Sequence, residues 1–133
     1  MVTNLATEFL KDPFFNMVIR PLTTTTSNTS YPPYNVVKIS EDHVVMEFAV
    51  AGFTKDEISI TTEKDILTIK SAKEEVDEKT YLHKGIAARK FTRLFTLPEY
   101  FEVDGARVDS GILYIDLIRN IPEEKRPKAI NIK

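Results

Sequence analysis

Ala106-Arg107-Val108-Asp109-Ser110-Gly111-Ile112-Leu113-Tyr114-Ile115-Asp116-Leu117 is the stretch on which the fold is decided. Asp109-Ser110-Gly111 is turn chemistry: glycine supplies the positive φ of a tight reversal, and Asp and Ser bond their own backbone. After the turn, Leu113, Ile115 and Leu117 fall on one face of a strand, and Ile112, Tyr114, Asp116 and Ile118 fall on the other. The pattern predicts a hairpin feeding a mostly buried strand of an antiparallel sheet.

The same period of two runs upstream. From Tyr31-Pro32-Pro33-Tyr34 onward, Tyr34, Val36 and Lys38 alternate with Asn35, Val37 and Ile39, and Ser40-Glu41-Asp42 closes the run. Val44, Met46, Phe48 and Val50 share one face of the next strand, with Val45, Glu47 and Ala49 on the other. Ala51 to Asp56 is a loop. Ile58 and Ile60 then mark a strand that Glu63-Lys64-Asp65 turns into Ile66-Leu67-Thr68-Ile69-Lys70. Short β-branched strands, with turn signals about every eight to twelve residues, predict an all-β sandwich.

A chain of 133 residues has room for one domain with a core plus short arms. The expected division is an arm and linker over 1–30, the sandwich over 31–119, and a C-terminal extension over 120–133. Leu5, Phe9 and Leu10 have helical spacing before Lys11-Asp12-Pro13 interrupts, and Phe14, Phe15, Met17, Val18 and Ile19 follow. Left uncovered, such a segment exposes apolar surface on the scale of an interaction site; the alternative is that it folds back on its own domain. Residues 23–30, Thr-Thr-Thr-Thr-Ser-Asn-Thr-Ser, read as a linker.

Composition narrows the function. The net charge of −2 provides no broad basic surface for nucleic-acid phosphates. Without cysteine there are no disulfides and no thiolate metal sites, which suits a reducing compartment. The N-terminus lacks the features of a signal peptide, and the apolar stretch from Val44 to Phe53 is cut by Glu47 and Gly52. A soluble cytoplasmic protein is expected, with no membrane association.

Three segments bear on contacts beyond a single domain. Residues 71–80 are a charged tether leading into Tyr81-Leu82-His83-Lys84-Gly85. A short strand on a long polar tether closes its own sheet poorly but can reach the sheet edge of another subunit. Phe91, Arg93, Phe95 and Leu97 share a strand face, so Arg93 needs a carboxylate, a carbonyl or a subunit boundary; the alternative is a wet strand end with the stem on the Phe rings. Past two prolines, Ile130-Asn131-Ile132 ends the chain with both isoleucines pointing the same way. Docking both in a groove gains on the order of 3–6 kcal/mol gross. Much of that is lost to ordering and association, so single contacts are reversible and many act by avidity.

No catalytic constellation is present. His43 and His83 lack metal-ligand spacing, and there is no Gly-rich phosphate loop, Gly-x-Ser-x-Gly or His-Glu-x-x-His. Glu74-Glu75 and Glu123-Glu124 sit in charged tethers without the burial that tunes a catalytic acid. No catalytic, metal or cofactor site is expected.

From Tyr34 to its end the chain resembles the small heat-shock proteins, the α-crystallin-domain (Hsp20) family, nearest the bacterial inclusion-body-binding type. The residues that carry the resemblance are Tyr31-Pro32-Pro33-Tyr34-Asn35, Ala49-Val50-Ala51-Gly52-Phe53, Tyr81-Leu82-His83-Lys84-Gly85-Ile86-Ala87 and the Arg89-x-Phe91-x-Arg93-x-Phe95-x-Leu97-Pro98 strand. Gly105-Ala106 to Leu117 and Ile130-Asn131-Ile132 complete it. The resemblance implies an immunoglobulin-like β-sandwich that dimerises by exchange of the strand around Tyr81 to Lys84. Its interface would hold Tyr34, Val36, Tyr81, Leu82, His83 and the dimer-associated Arg93. It also implies an Ile130/Ile132 anchor binding a groove near Ile58, Ile60, Val103 and Val108 on another dimer.

The expected function is an ATP-independent holdase working from a dynamic homo-oligomer of dimers. Phe9, Phe14, Phe15, Met17 and Ile19 would capture partly unfolded clients. The rival is a structural or adaptor sandwich of the p23-like co-chaperone type that binds one specific partner. An enzyme ranks below both.

Overall fold

Asp109 pairs with Ile112 across Ser110 and Gly111, whose φ angles are 53° and 78°. Two consecutive positive φ values make the primed turn that matches the right-handed twist of paired strands. The same device recurs at Lys64 and Asp65, with φ of 48° and 65°, between Glu63 and Ile66. Both reversals stand where the turn signals were read.

A computed structural model of the chain describes residues 11–15, 31–72, 78–86 and 89–133. The described strands are β1 (Tyr34–Ser40), β2 (His43–Ala49), β3 (Ile58–Glu63), β4 (Ile66–Ser71), β5 (Thr92–Thr96), β6 (Phe101–Asp109) and β7 (Ile112–Arg119). They form two antiparallel sheets, a four-stranded one ordered β1-β2-β7-β6 and a three-stranded one ordered β3-β4-β5. The segment expected to be a loop after β2 holds one turn of 3-10 helix at Lys55–Glu57, and the extended tail holds another at Glu123–Lys125.

The core lies between the sheets and follows the alternation of each strand. Val44, Met46 and Phe48 of β2 and Leu113, Ile115 and Leu117 of β7 are buried from one side. Leu67 and Ile69 of β4 and Phe95 of β5 are buried from the other. Phe95 meets both Tyr34 and Phe48 edge to face, with ring centroids 5.2 and 5.8 Å apart. Such aromatic pairs are each worth about 0.5–1.5 kcal/mol beyond the area they bury, and here they join the two sheets. At the other end of β5, Phe91 meets Phe53 and Tyr31 in the same geometry.

One buried polar side chain extends the pairing of β4 with β5. Ser71 is fully buried; its Oγ accepts from the Phe91 N–H at 2.8 Å, while its own N–H donates to the Phe91 carbonyl at 3.0 Å. The hydroxyl therefore satisfies a buried backbone donor just before β5 begins.

Candidate functional site: two strand edges, a buried arginine and an exposed tail

The surfaces singled out in the sequence sit on the edges of the sandwich. Within the described residues β1 has β2 on one side and no strand on the other, leaving one row of backbone groups for an added strand. Tyr34 and Val36 point inward and pack against the core, whereas Val37 and Ile39 lie on the outer face and are exposed. A shallow concavity of about 300 Å³ adjoins this edge, lined by Pro33, Tyr34, Asn35, Glu47, Ala49, Ile112 and Tyr114. Its one carboxylate, Glu47, accepts from the Asn35 amide at 3.0 Å.

Among the described residues Arg93 is the buried charge, 4% exposed. Its Nη1 donates to the carbonyl of Pro32 at 3.2 Å, and its guanidinium carbon lies 5.0 Å from the Tyr34 ring centroid and 5.4 Å from that of Phe95. Burial lowers its pKa from the ordinary arginine value, and the interaction with Tyr34 opposes that shift. The wet-end arrangement is thus excluded: of the three partners considered for this arginine, the single chain supplies a carbonyl. Among the described residues no carboxylate pairs with it. Carbonyl and ring faces are a partial substitute for a counter-ion, since a desolvated guanidinium gains from aromatic quadrupoles as well as from hydrogen bonds.

The segment expected to swap is not a strand in the single chain. Residues 78–86 form no regular element and are exposed throughout, with Tyr81, Leu82 and Ile86 among the exposed large apolar side chains. His83 lies there as well, and Lys84 Nζ sits 4.9 Å from the Tyr81 ring centroid. The β-propensity of Tyr81-Leu82-His83 is therefore not realised within one subunit, because an isolated strand has no ladder to join.

The tail behaves in the same way. Ile130 is 87% and Ile132 98% exposed, so the pair does not occupy its own chain's edges. Ile58 and Ile60 lie on β3, an edge of the three-stranded sheet, and Val103 and Val108 lie on β6, an edge of the four-stranded sheet. All four are half-buried and packed against the core. A bulge between Val103 and Gly105 interrupts the pairing of β6 with β7.

Of the two alternatives for the arm, Phe14 takes the one in which it folds back on its own domain: this candidate client-capturing residue is 4% exposed and belongs to the core cluster, its ring centroid 4.7 Å from that of Phe101 at an angle of 77°. The physical reason is apolar burial: the Phe101 ring at the start of β6 offers an edge-to-face partner, and one arm residue packs on it. Phe15 is half-buried, and Phe9, Met17 and Ile19 lie outside the described residues. Asp12 holds the turn: its Oδ1 accepts from the Phe14 N–H at 2.9 Å and its Oδ2 lies 3.0 Å from Lys38 Nζ.

His43, set aside in the sequence as a lone histidine, lies on the outer face with Nε2 at 2.8 Å from Asp116 Oδ1; Arg107 approaches the other oxygen of Asp116 at 4.0 Å. Among the described residues no group of three His, Cys, Asp or Glu side chains could hold a metal ion, and no helix is long and apolar enough to cross a membrane. Reading the sequence missed Ser71 and the Asp12–Lys38 pair. Asp12-Pro13 before two aromatics was the available signal for the second.

Comparison with known proteins agrees with this geometry. A sequence model described as the Hsp20/alpha crystallin family matches residues 36–133. The chain is 49% identical over 107 residues to the small heat shock protein IbpA of Escherichia coli K12, covering 80% of this chain and 78% of that one. It is 46% identical over 103 residues to the small heat shock protein HspB of Bradyrhizobium diazoefficiens, covering 77% and 67%. Among solved structures, a C-terminally truncated form of the small heat shock protein AgsA from Salmonella typhimurium superposes with a TM-score of 0.63 at 28% identity. The match covers 76% of this chain and 98% of that one. A small heat shock protein from Synechococcus phage S-ShM2 gives 0.59 at 35% identity, covering 77% and 99%.

Proposed function

This chain belongs to the Hsp20/alpha crystallin family of small heat-shock chaperones, which are not enzymes, and from that premise we propose that it is an ATP-independent holdase. It binds partly unfolded proteins and prevents their irreversible aggregation, working in the cytoplasm from a dynamic homo-oligomer of dimers. The observation that carries this reading is the solvent exposure of Ile130 and Ile132 together with Leu82 and Ile86, four large aliphatic side chains outside the core of a single subunit. Exposed apolar side chains on extended segments are suited to docking on a second copy of the chain or on a client, with neither nucleic acid nor membrane required.

Assembly follows from the same surfaces. The segment around Tyr81, Leu82 and His83 adds to the open edge of β1 in a partner, beside Tyr34 and Val36, with Arg93 close behind that edge. The Ile130/Ile132 anchor docks beside Ile58, Ile60, Val103 and Val108 of another dimer. The ordering cost of a tail with two prolines keeps each dock weak, so the oligomer exchanges subunits and uncovers apolar surface on heating. Clients meet the arm, where Phe9, Phe14, Phe15, Met17 and Ile19 offer adaptable aromatic and thioether surface.

The test is light scattering from a heat-denaturing client with no nucleotide present. Suppression at near-stoichiometric ratios is expected. Undiminished scattering at a tenfold excess of chaperone overturns the holdase reading.

A further inference from the structure

The end of the sandwich where β1 and β7 finish and β2 and β6 begin holds a contact that the core does not need for its strand pairing. Register places Lys38 near the end of β1 and Phe101 at the start of β6, both at this end. Segment 11–15 meets both. The Phe14 ring is buried edge to face on Phe101, and Asp12, two residues earlier, reaches Lys38 Nζ at 3.0 Å. The turn that sets this spacing is internal: Asp12 Oδ1 accepts from the Phe14 N–H, and the Asp12 carbonyl accepts from the Phe15 N–H at 3.0 Å. Lys38 Nζ also lies 3.2 Å from a carboxylate oxygen of Glu41.

We propose that Asp12 and Phe14 form an autoinhibitory latch, a carboxylate and an aromatic ring that hold the arm on the Lys38–Phe101 end of the sandwich at rest. The inference rests on the holdase reading above, in which the arm captures clients. The two contacts differ in kind. The ring contact is apolar and silent to salt, whereas the Asp12–Lys38 pair is partly exposed and screened by it. Losing either loosens both, because Pro13 and the Asp12 turn couple them. Hydrogen bonds to Asp12 and Glu41 raise the pKa of Lys38, so the ammonium is present throughout the physiological range. Opening the latch exposes Phe14 and removes its cover from Phe101 in one event, adding aromatic surface for a client.

The test uses the full chain. Lys38→Gln removes the charge and leaves the turn intact, and Asp12→Asn keeps an acceptor for the Phe14 N–H. Hydrogen exchange of the Phe14 and Phe15 amides is expected to quicken about two- to fivefold in each, the factor an exposed ion pair commands. The double variant should be no faster than the quicker single, since both act on one contact. Exchange at Ile115 in the core should stay unchanged. Half-suppression of client scattering should then need about half as much chaperone. Unchanged exchange at Phe14 and Phe15 overturns the latch while leaving the holdase reading intact. Faster exchange with unchanged suppression overturns its inhibitory role. Failure of the unmodified chain to suppress scattering removes the holdase reading, and autoinhibition with it, whatever the exchange rates.

Discussion

Arg93 and Tyr34 face each other between the two sheets, the guanidinium carbon 5.0 Å from the phenol ring centroid. Arg93 lies on β5, an edge of the three-stranded sheet, and Tyr34 begins β1, an edge of the four-stranded sheet. Among the described residues the guanidinium donates its hydrogen bond to the Pro32 carbonyl, just ahead of β1. The charge thus sits where the two edges come together, desolvated and with no carboxylate beside it among the described residues.

That environment predicts how Arg93 tolerates replacement. Arg93→Gly empties a packed site and is expected to lower stability by about 2–5 kcal/mol, as large-to-small core substitutions do. Arg93→Met fills the volume without a desolvated charge and should cost no more than about 1–2 kcal/mol. Urea denaturation of both variants distinguishes the cases. A methionine variant as unstable as the glycine one means the charge has a counter-ion in the assembly.

Removing the tail anchor tests assembly. Ile130→Ala with Ile132→Ala is expected to convert large particles to dimers in native mass measurement, with thermal unfolding of the domain unchanged. Both side chains are exposed in the single chain, so the substitution leaves the core untouched. Particles of unaltered mass remove the docking role of the anchor.

Ser71→Ala leaves the buried Phe91 N–H without its acceptor. An unsatisfied buried donor costs about 1–3 kcal/mol, and chemical denaturation should show a loss in that range. A change below about 0.3 kcal/mol, within the scatter of ordinary surface substitutions, means the backbone re-pairs without the hydroxyl.

The turn between β6 and β7 responds in opposite directions at its two central residues. Gly111→Ala places a Cβ in ordinary contact with Ala51, 3.5 Å away, so space is available, yet φ of 78° is costly for alanine. A loss of about 1–2 kcal/mol is expected. Ser110→Asn, at φ 53°, should gain a few tenths of a kcal/mol, because asparagine tolerates this conformation better. Melting temperatures of the pair, moving in opposite senses, check it.

Lys38 makes the latch sensitive to alkali. Its folded-state pKa is raised above the ordinary 10.5 by hydrogen bonds to Asp12 and then Glu41. A raised lysine pKa means the unfolded chain loses its proton first, so the contribution is full below 10.5 and is lost as pH climbs through the folded value. Exchange at the Phe14 amide, corrected for its intrinsic pH dependence, should accelerate only in that alkaline window. Lys38→Gln should abolish the effect.

Much was legible from residue order because the information was local. Alternation of two placed Leu113, Ile115 and Leu117 inward. Asp109-Ser110-Gly111 and Lys64-Asp65 marked reversals whose geometry depends on a few residues, and the inward parity of Arg93 followed from Phe91 and Phe95 beside it. The exposure of Ile130 and Ile132 was likewise implied by a proline-bearing polar tail that cannot fold back cheaply. What residue order left open were contacts between segments far apart in the chain. Whether Arg93 met a carboxylate, a carbonyl or solvent depended on where residue 32 arrives, and whether Phe14 was free or buried depended on the ring of residue 101. Periodicity tells a side chain which face of its strand to occupy. Only the packing of one sheet over the other decides what stands opposite, because that partner is chosen by the shape and polarity left unfilled when every strand is in place.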